Sequence, residues 1–411
     1  MTVCRQAFPA EKERAHVSLF GRGMREIRYS SMEKMSGKQI RSMAFLMAMG
    51  GRFVIGGTKE AGAESYLAAA LSIILIIPAY ALYEYLLHKA GADGIFALCK
   101  QCLGKVAGKI AIALFGLYAL WVGMALVGNL LNFIYTVFLT NTAPIVVGCA
   151  CAVTVAIAMK CGRMAMARVS RLLMFSIFGI LFVTALLSLI SINFNSFPAP
   201  FLYESFLPVA KGALSVFTMP FGDIILLLPL LSGGRAGGKG SRELLKGAGI
   251  TWVFLVAIFL RNVLALGPET YEMLFFKSFV AVRIISVGAF FQHIEILVSV
   301  IYILCDIFKL VVCTQCFTKC IAEIFDKQED TVFAAPTVFL ILGMASAFVI
   351  NERYVVQFIQ VNKYLSLVFI VLLPAIIAIA YRIWESSNNR RRRTGSISSS
   401  VPARGRGSAR P

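Results

Sequence analysis

Charged residues are scarce in this 411-residue chain, and histidine is scarcer still. Only 15% of the residues are charged, three are histidine, and 58% are hydrophobic. A soluble protein of this length could not bury that much apolar surface, so the composition excludes an ordinary soluble domain. Together with the mean hydropathy of +0.78, it predicts an all-α polytopic membrane protein.

Patterns typical of enzymes and metal sites are also lacking. No nucleophile–base pair or phosphate-binding glycine loop is evident, and residues 1–40 lack the apolar region of a cleavable signal peptide. Two CxxC pairs, Cys99/Cys102 and Cys313/Cys316, could share a metal ion, but no histidine adjoins either pair. We therefore predict no enzymatic activity, no metal and no cofactor.

The basic charge lies mostly in the two tails. The net charge is +19, of which residues 1–41 supply +5 and residues 382–411 supply +7. Nucleic-acid binding is one explanation, but cytoplasmic tails of membrane proteins are commonly basic. We expect contact with anionic lipid headgroups and no nucleic acid, although a C-terminal extension without function is equally compatible. The predicted domains are a cytoplasmic basic tail (1–38), a membrane domain (39–385) and a disordered basic cytoplasmic tail (386–411).

Ten apolar segments predict ten membrane spans. Four Lys or Arg residues occur in each loop region after spans 2, 4 and 6, two occur after span 8, and at most two occur after each odd-numbered span. Because cytoplasmic loops are enriched in Lys and Arg, this alternation places both termini in the cytoplasm. The predicted spans are Ile40–Gly57, Ser65–Leu87, Ile110–Leu139, Pro144–Met159, Leu172–Ile192, Lys211–Ser232, Leu245–Leu266, Ser286–Cys316, Phe333–Ile350 and Leu365–Trp384.

Two of these spans carry helix-breaking residues near their middle. Span 1 contains Gly50-Gly51-Arg52 followed by Gly56-Gly57, and span 6 contains Met219-Pro220-Phe221-Gly222-Asp223. Proline removes a helix hydrogen bond and glycine tolerates unwinding. Interrupted helices at corresponding positions of two halves point to a transporter-type binding site. The expected fold is a 5+5 inverted repeat with discontinuous helices 1 and 6, on the evidence of topology and break positions alone.

Facing half-helices would offer groups of both signs to a ligand. Helix N-termini suit a carboxylate, and unwound carbonyl groups can hold an ammonium group or a cation. That combination matches a zwitterionic amino acid. The candidate ligand-binding residues are Gly50, Gly51, Arg52, Tyr118, Thr218, Pro220, Phe221, Gly222 and Asp223.

Several of these assignments have alternatives. Arg52 could grip the ligand carboxylate in a bidentate contact, be neutralised by Asp223, or only snorkel or line water. Tyr118 could line the pocket or simply pack between helices. Asp223 could be a hydrogen-bonded residue at a proline kink. Asp306 and Lys309, three residues apart on one helix face, are expected to neutralise each other.

Several stretches along the chain match one family in order and spacing. They are Ser36-Gly37-Lys38-Gln39, Leu98–Lys109, Leu207-Pro208-Val209, Lys211-Gly212-Ala213, Met219-Pro220-Phe221-Gly222-Asp223, Asn262, Leu266-Gly267-Pro268-Glu269, Arg283-Ile284-Ile285-Ser286-Val287-Gly288 and Glu295. With these stretches the chain resembles the spore germination receptor B subunits, a branch of the amino acid–polyamine–organocation transporter superfamily. The resemblance covers about residues 36–385, although Arg52 stands where a small or apolar residue is expected, which leaves the ligand class open.

The resemblance implies a LeuT-like fold and a role in the inner membrane of the spore. There the chain would bind a small germinant, often an amino acid, beside an A-type receptor subunit and a C-type lipoprotein, and trigger germination. A free-standing secondary amino acid transporter is the alternative.

Overall fold

Every regular element is helical in the part of the chain that the structure, a computed structural model, describes. That part comprises residues 35–91, 93–139, 142–188, 206–231, 240–284, 294–327, 331–348 and 361–398. Seven of its helical segments are long and apolar enough to cross a membrane. They are Gly62–Ala90, Gly94–Val137, Pro144–Ser188, Phe206–Leu231, Arg242–Leu266, Glu295–Ile324 and Val361–Asn388.

We number the α-helices in chain order. Short 3₁₀ turns at Gly62–Glu64 and Thr331–Phe333 precede α3 and α12. The helices are α1 (Gly37–Met49), α2 (Arg52–Ile55), α3 (Ser65–Leu71), α4 (Ile73–Ala90), α5 (Gly94–Val137), α6 (Pro144–Ser188), α7 (Phe206–Val216), α8 (Gly240–Leu266), α9 (Pro268–Met273), α10 (Lys277–Arg283), α11 (Ile294–Ile324), α12 (Ala334–Phe348) and α13 (Leu373–Ser398).

The first apolar segment is interrupted, as predicted. A capping box starts α1: the Gln39 N–H donates to Ser36 Oγ, and the Ser36 N–H donates to Gln39 Oε1. The helix ends at Met49 after 13 residues, and α2 begins at Arg52. At 1.5 Å per residue α1 is about 20 Å long, too short to cross a hydrocarbon core of about 30 Å. The break at Gly50-Gly51 is confirmed.

The second predicted break is also confirmed. Helix α7 ends at Val216, a π turn follows over Phe217–Phe221, and a 3₁₀ helix continues over Gly222–Leu231. Within the π turn, Met219 leaves the helical region, with φ −142° and ψ 109°. Every residue from Phe217 to Leu231 is buried, so the irregular backbone is packed within protein, as membrane depth requires.

Glycines bend the two longest helices. Gly104 in α5 and Gly162 in α6 have φ of 85° and 80°, in the left-handed region that favours glycine. A Cβ atom added to Gly108 would lie 2.7 Å from Lys100 Cα. In a straight helix these two residues would be about 12 Å apart, so α5 folds back sharply at Gly104.

Each of the ten predicted segments coincides with helical structure wherever its residues are described. Predicted spans 4 and 5 are the two arms of α6 on either side of Gly162, and span 9 is the shorter α12. The ends of spans 5, 6 and 9 and the start of span 8 lie outside the described residues. Ten crossings and an inverted repeat stay predictions, because the seven long helices alone do not establish them.

The interrupted segments lie at the centre of the bundle. In the Phe206–Leu231 segment 94% of the apolar stretch is buried, against 22% for Pro144–Ser188. Helix α1 packs against α6, α8 and α11, and α11 in turn packs along α5. Neighbouring helices therefore shield both breaks.

The C-terminal region differs from its prediction. Helix α13 continues as far as Ser398, through Arg390-Arg391-Arg392-Arg393, whereas residues 386–411 were expected to be disordered. Arginine is a good helix former, and extending an existing helix avoids the cost of nucleation. Residues 399–411, like most of the N-terminal tail, lie outside the described residues.

The close approach at the α5 corner gives a stability prediction. Gly108→Ala places a methyl group against the backbone of Lys100, and overpacking of this kind costs about 1–3 kcal/mol. We expect the melting temperature of the purified protein in detergent to fall by several degrees. Gly179→Ala is the matched control, because nothing lies within 4 Å of its added Cβ and alanine favours the helix. Equal melting temperatures for the two variants would contradict the folded-back corner.

Candidate functional site

The Arg52 side chain joins the two helix breaks. Its Nε donates to the Met219 carbonyl at 2.9 Å, and Nη1 donates to the Gly57 carbonyl at 2.9 Å. Its Nη2 donates to both the carbonyl and the hydroxyl of Ser215, at 3.2 and 2.7 Å. Arg52 is only 5% exposed. Carbonyl groups freed by one interrupted helix thus bind a guanidinium supplied by the other.

This bonding decides between the roles expected for Arg52. A guanidinium has five N–H groups, and the four bonds to protein leave one on Nη1. A bidentate grip on a ligand carboxylate is therefore not available in this conformation. No ion pair joins Arg52 to Asp223 either, although their charges interact at longer range. In the structure described Arg52 is therefore bound to protein oxygens, and its burial leaves no path for snorkelling to the surface. A contact with a ligand stays a prediction.

Asp223 instead faces Tyr118 and Lys309. The Tyr118 hydroxyl donates to Oδ1 at 3.0 Å, and Lys309 Nζ lies 3.9 Å from Oδ2. The aspartate is 3% exposed. The Tyr118 ring stacks on Phe369 with a centroid distance of 5.0 Å, so this residue both packs between helices and contacts the site. We call Arg52, Tyr118, Asp223 and Lys309 the central cluster.

Gly50 makes room for Lys309. A Cβ atom at Gly50 would lie 2.5 Å from Lys309 Cε and 2.6 Å from Nζ. At Gly51 the nearest atom to an added Cβ is Tyr302 Cε2, at 3.9 Å, which is an ordinary van der Waals contact. The lysine therefore lies directly against the end of α1, where helix carbonyl groups carry partial negative charge.

Lys309 acts on two carboxyl groups. Its Nζ lies 3.9 Å from Asp223 Oδ2, and its charge also acts on Asp306 at longer range, as the sequence spacing predicted. Within the described part of the chain neither Asp306 oxygen has a hydrogen-bond partner. Sequence spacing identified two neighbours on one helix face, but it could not show that a carboxylate from another segment lies nearer to the lysine.

The remaining candidates shape the second break. Thr218 Oγ1 donates to the Leu214 and Ser215 carbonyls, at 3.0 and 3.3 Å. The Phe221 carbonyl accepts from the Tyr80 hydroxyl at 3.1 Å. A Cβ atom on Gly222 would clash with the Ile370 side chain. Pro220, which has no N–H, lies in the π turn and is buried. None of these four side chains carries charge into the central cluster.

Gly56 and Gly57 are held by α8, α9 and α10. The Gly56 carbonyl accepts from the Tyr271 hydroxyl at 2.8 Å and from Asn262 Nδ2 at 3.3 Å. An added Cβ would clash with Ser278 and Asn262 at Gly56, and with Tyr271 at Gly57. These contacts fix the Gly57 carbonyl that Arg52 binds. From the sequence these paired glycines were identified only as helix-breaking residues, and neither their close packing nor their partners were predicted.

Buried charges also surround the connection after α2. Glu60 Oε1 lies 2.8 Å from Lys363 Nζ. Burial raises the pKa of Glu60, but the hydrogen bond and charge of Lys363, a backbone hydrogen bond and the charge of Arg52 together outweigh it, so that pKa lies below its usual value. Lys277 Nζ lies 4.2 Å from the centre of the Tyr271 ring. Burial, aided by the charge of Arg52, lowers the pKa of Lys277 to about 8.

The central cluster and its surroundings combine charges of both signs at the junction of two broken helices. Arg52 and Lys309 supply two cationic groups, and Asp223 and Asp306 supply two carboxyl groups. No group of three or more metal-ligating side chains occurs in the described residues. These charged and hydrogen-bonding side chains can bind a polar ligand or let charge move between them.

Comparison with known proteins gives two matches. The sequence model of a family described as spore germination protein matches residues 34–383. The protein YfkT of Bacillus subtilis (strain 168), which is named for spore germination, is 23% identical over 328 residues. That match covers 79% of this chain and 88% of YfkT.

The four bonds of Arg52 predict a large stability effect. Arg52→Lys keeps the positive charge, but an ammonium group on a single stem cannot reach Met219, Gly57 and Ser215 together. Losing two or more hydrogen bonds from a charged donor costs about 1.5–3 kcal/mol each. We expect the melting temperature to fall by several degrees relative to Arg171→Lys, a control at an exposed position. An unchanged melting temperature would show that Arg52 does not hold the breaks together.

Proposed function

The chain belongs to the spore germination protein family, and we propose that it is a germinant receptor subunit. In this proposal it binds a small amino-acid-like ligand in a mid-membrane pocket and triggers germination. The family membership confirms the resemblance identified from the sequence. With its apolar helices, the chain is an integral multi-pass membrane protein. The family is one of membrane permeases and receptors, not of enzymes.

One observation carries the proposal: both helix breaks meet at buried charged groups. Arg52 bonds to carbonyl groups at both interruptions, and Asp223 and Lys309 lie in the same buried region. Charged groups inside a membrane protein are costly and mark ligand or ion pathways. A pure packing role would be served better by apolar side chains of similar volume.

The proposal extends to topology and partners. We propose ten crossings in a 5+5 inverted repeat, with both termini in the cytoplasm and the chain in the inner membrane of the spore. The A-type subunit and the C-type lipoprotein would be its partners, and the basic tails would contact anionic lipid headgroups. The site residues proposed to contact or shape the ligand pocket are Gly50, Gly51, Arg52, Tyr118, Thr218, Pro220, Phe221, Gly222 and Asp223.

A free-standing amino acid transporter is the second candidate, favoured by the same broken helices. The two differ in what the chain does alone. Proteoliposomes that contain only this chain would accumulate labelled amino acids if it were a transporter. A receptor subunit would bind them without uptake.

Asp223 provides the functional test. Asp223→Asn keeps the side-chain shape and an acceptor for the Tyr118 hydroxyl, but it removes the negative charge that faces Lys309. We expect spores carrying the variant to need at least about tenfold more of an L-amino acid germinant, which corresponds to about 1.4 kcal/mol. Dipicolinic acid release measured across a panel of L-amino acids gives the dose dependence.

The control is Glu385→Gln, which removes a carboxylate from a partly exposed pair with Lys89. Surface pairs of this kind contribute little, so its dose dependence should match the wild type. Normal protein levels with an unchanged dose dependence in Asp223→Asn would assign Asp223 a structural role and remove the basis of the proposal.

A further inference from the structure

Lys277 is a buried lysine whose ammonium group donates no hydrogen bond and forms no ion pair within the described part of the chain. It begins α10 and is 5% exposed. Its Nζ lies 4.2 Å from the centre of the Tyr271 ring. The face of the ring attracts a cation, but it supplies no oxygen acceptor to the three N–H groups of an ammonium. A buried charge is costly unless it is paired and hydrogen-bonded, so this group lacks a partner.

The carboxylates that act on Lys277 are engaged by other groups. Glu60 Oε1 lies 2.8 Å from Lys363 Nζ, and Glu272 Oε1 accepts from a backbone N–H at 3.2 Å. Both attract Lys277 only at longer range, and the positive charge of Arg52 opposes them. The lowered pKa of Lys277, caused by burial and by that charge, is what an ammonium group without a close counter-charge shows.

A second basic side chain adjoins this region. Arg261 donates from Nε and Nη2 to Asn262 Oδ1, at 3.2 and 2.7 Å, and it forms no ion pair with any described residue. Asn262 Nδ2 in turn donates to Ser278 Oγ at 2.7 Å, one position after Lys277. Two basic residues without a carboxylate partner are therefore joined by a short hydrogen-bonded path between α8 and α10. In the proposed topology this path lies on the outer side of the membrane.

We propose that Lys277 anchors a site for a small anion: the carboxylate of an amino-acid-like ligand or a free inorganic anion. Such an anion would accept the hydrogen bonds that the ammonium group leaves unused, and bonds of this charge-assisted kind are strong. It would also offset the repulsion between Lys277 and Arg52. The Tyr271 ring forms one wall, and its hydroxyl fixes it in place by donating to the Gly56 carbonyl at 2.8 Å.

The proposed anion site is separate from the central cluster, but Tyr271 connects the two. The tyrosine contacts Lys277 with its ring and adjoins Gly57, whose carbonyl accepts from Arg52. The carboxylate case rests on the proposed function and names the group of the ligand that Lys277 recognises. The free-anion case holds equally for a receptor and for a transporter.

Anion-dependent melting of the purified full-length chain tests the proposal. The chain is placed in phosphatidylcholine nanodiscs in neutral sodium HEPES, whose bulky sulfonate is replaced at constant ionic strength by acetate or by chloride. A ligand that binds only the folded protein raises its melting temperature as the ligand concentration exceeds the dissociation constant. We expect a rise of about 2–5 °C with acetate at about 100 times its dissociation constant.

Lys277→Met keeps the length and the apolar stem of the side chain but removes the ammonium group. We expect this variant to melt at or above the wild-type temperature in sodium HEPES, because a buried cation without an acceptor is gone, and to lose the rise with acetate. Lys277→Gln, which also removes the charge, is the second variant and should lose the rise too. Lys59→Met is the control, since it removes an exposed lysine from the connection after α2, and it should keep the rise.

The two anions distinguish the sources of the ligand. A rise with acetate alone supports a carboxylate, and a rise that chloride also produces supports small anions in general. No rise in the wild type, or an equal rise in Lys277→Met or Lys277→Gln, overturns the proposal. Because melting is measured without spores and away from the central cluster, failure here leaves the germination result for Asp223 untouched.

Discussion

The structure depends on the guanidinium of Arg52 and the carbonyl groups that surround it. Interrupting two helices inside a membrane protein frees backbone carbonyl groups that water cannot reach, and burying an arginine creates an equally expensive cation. The freed carbonyl groups and the buried guanidinium satisfy each other, because Met219, Ser215 and Gly57 supply the acceptors that Arg52 needs. The two helix breaks are consequently held together by the hydrogen bonds of Arg52 and depend on each other.

Shielding by neighbouring helices makes this arrangement possible. Helices α5, α6, α8 and α11 surround the interrupted segments, and small residues at the breaks let side chains from these neighbours approach. At Gly50 the absent Cβ leaves space for Lys309, and at Gly222 it leaves space for Ile370. The glycines therefore serve both backbone unwinding and the close placement of neighbouring side chains.

The sequence predicted the helices and their breaks well, but it predicted poorly which side chains contact each other. The apolar segments, the capping box at Ser36 and both helix breaks follow from local composition, so they could be identified without coordinates. The role of Arg52 could not, because its acceptors lie more than 160 positions away in the chain, apart from Gly57. Spacing placed Asp306 beside Lys309, but the lysine pairs with Asp223 from another segment. The helical extension to Ser398 was missed because composition alone does not show that α13 can propagate into a polar sequence.

The bonds of Arg52 also bear on whether the chain acts as a receptor or as a transporter. Alternating access rocks one part of such a bundle against another around a fixed site, and a motion that separated the two breaks would rupture most of the four bonds of Arg52. Because each bond from a charged donor is worth about 1.5–3 kcal/mol, that step would cost on the order of several kcal/mol unless the ligand supplied new acceptors. A receptor needs only a small displacement of the two half-helices relative to their neighbours, with the Arg52 bonds kept. A tightly tethered pair of breaks therefore favours sensing over repeated turnover, which supports the receptor as the first of the two proposed functions.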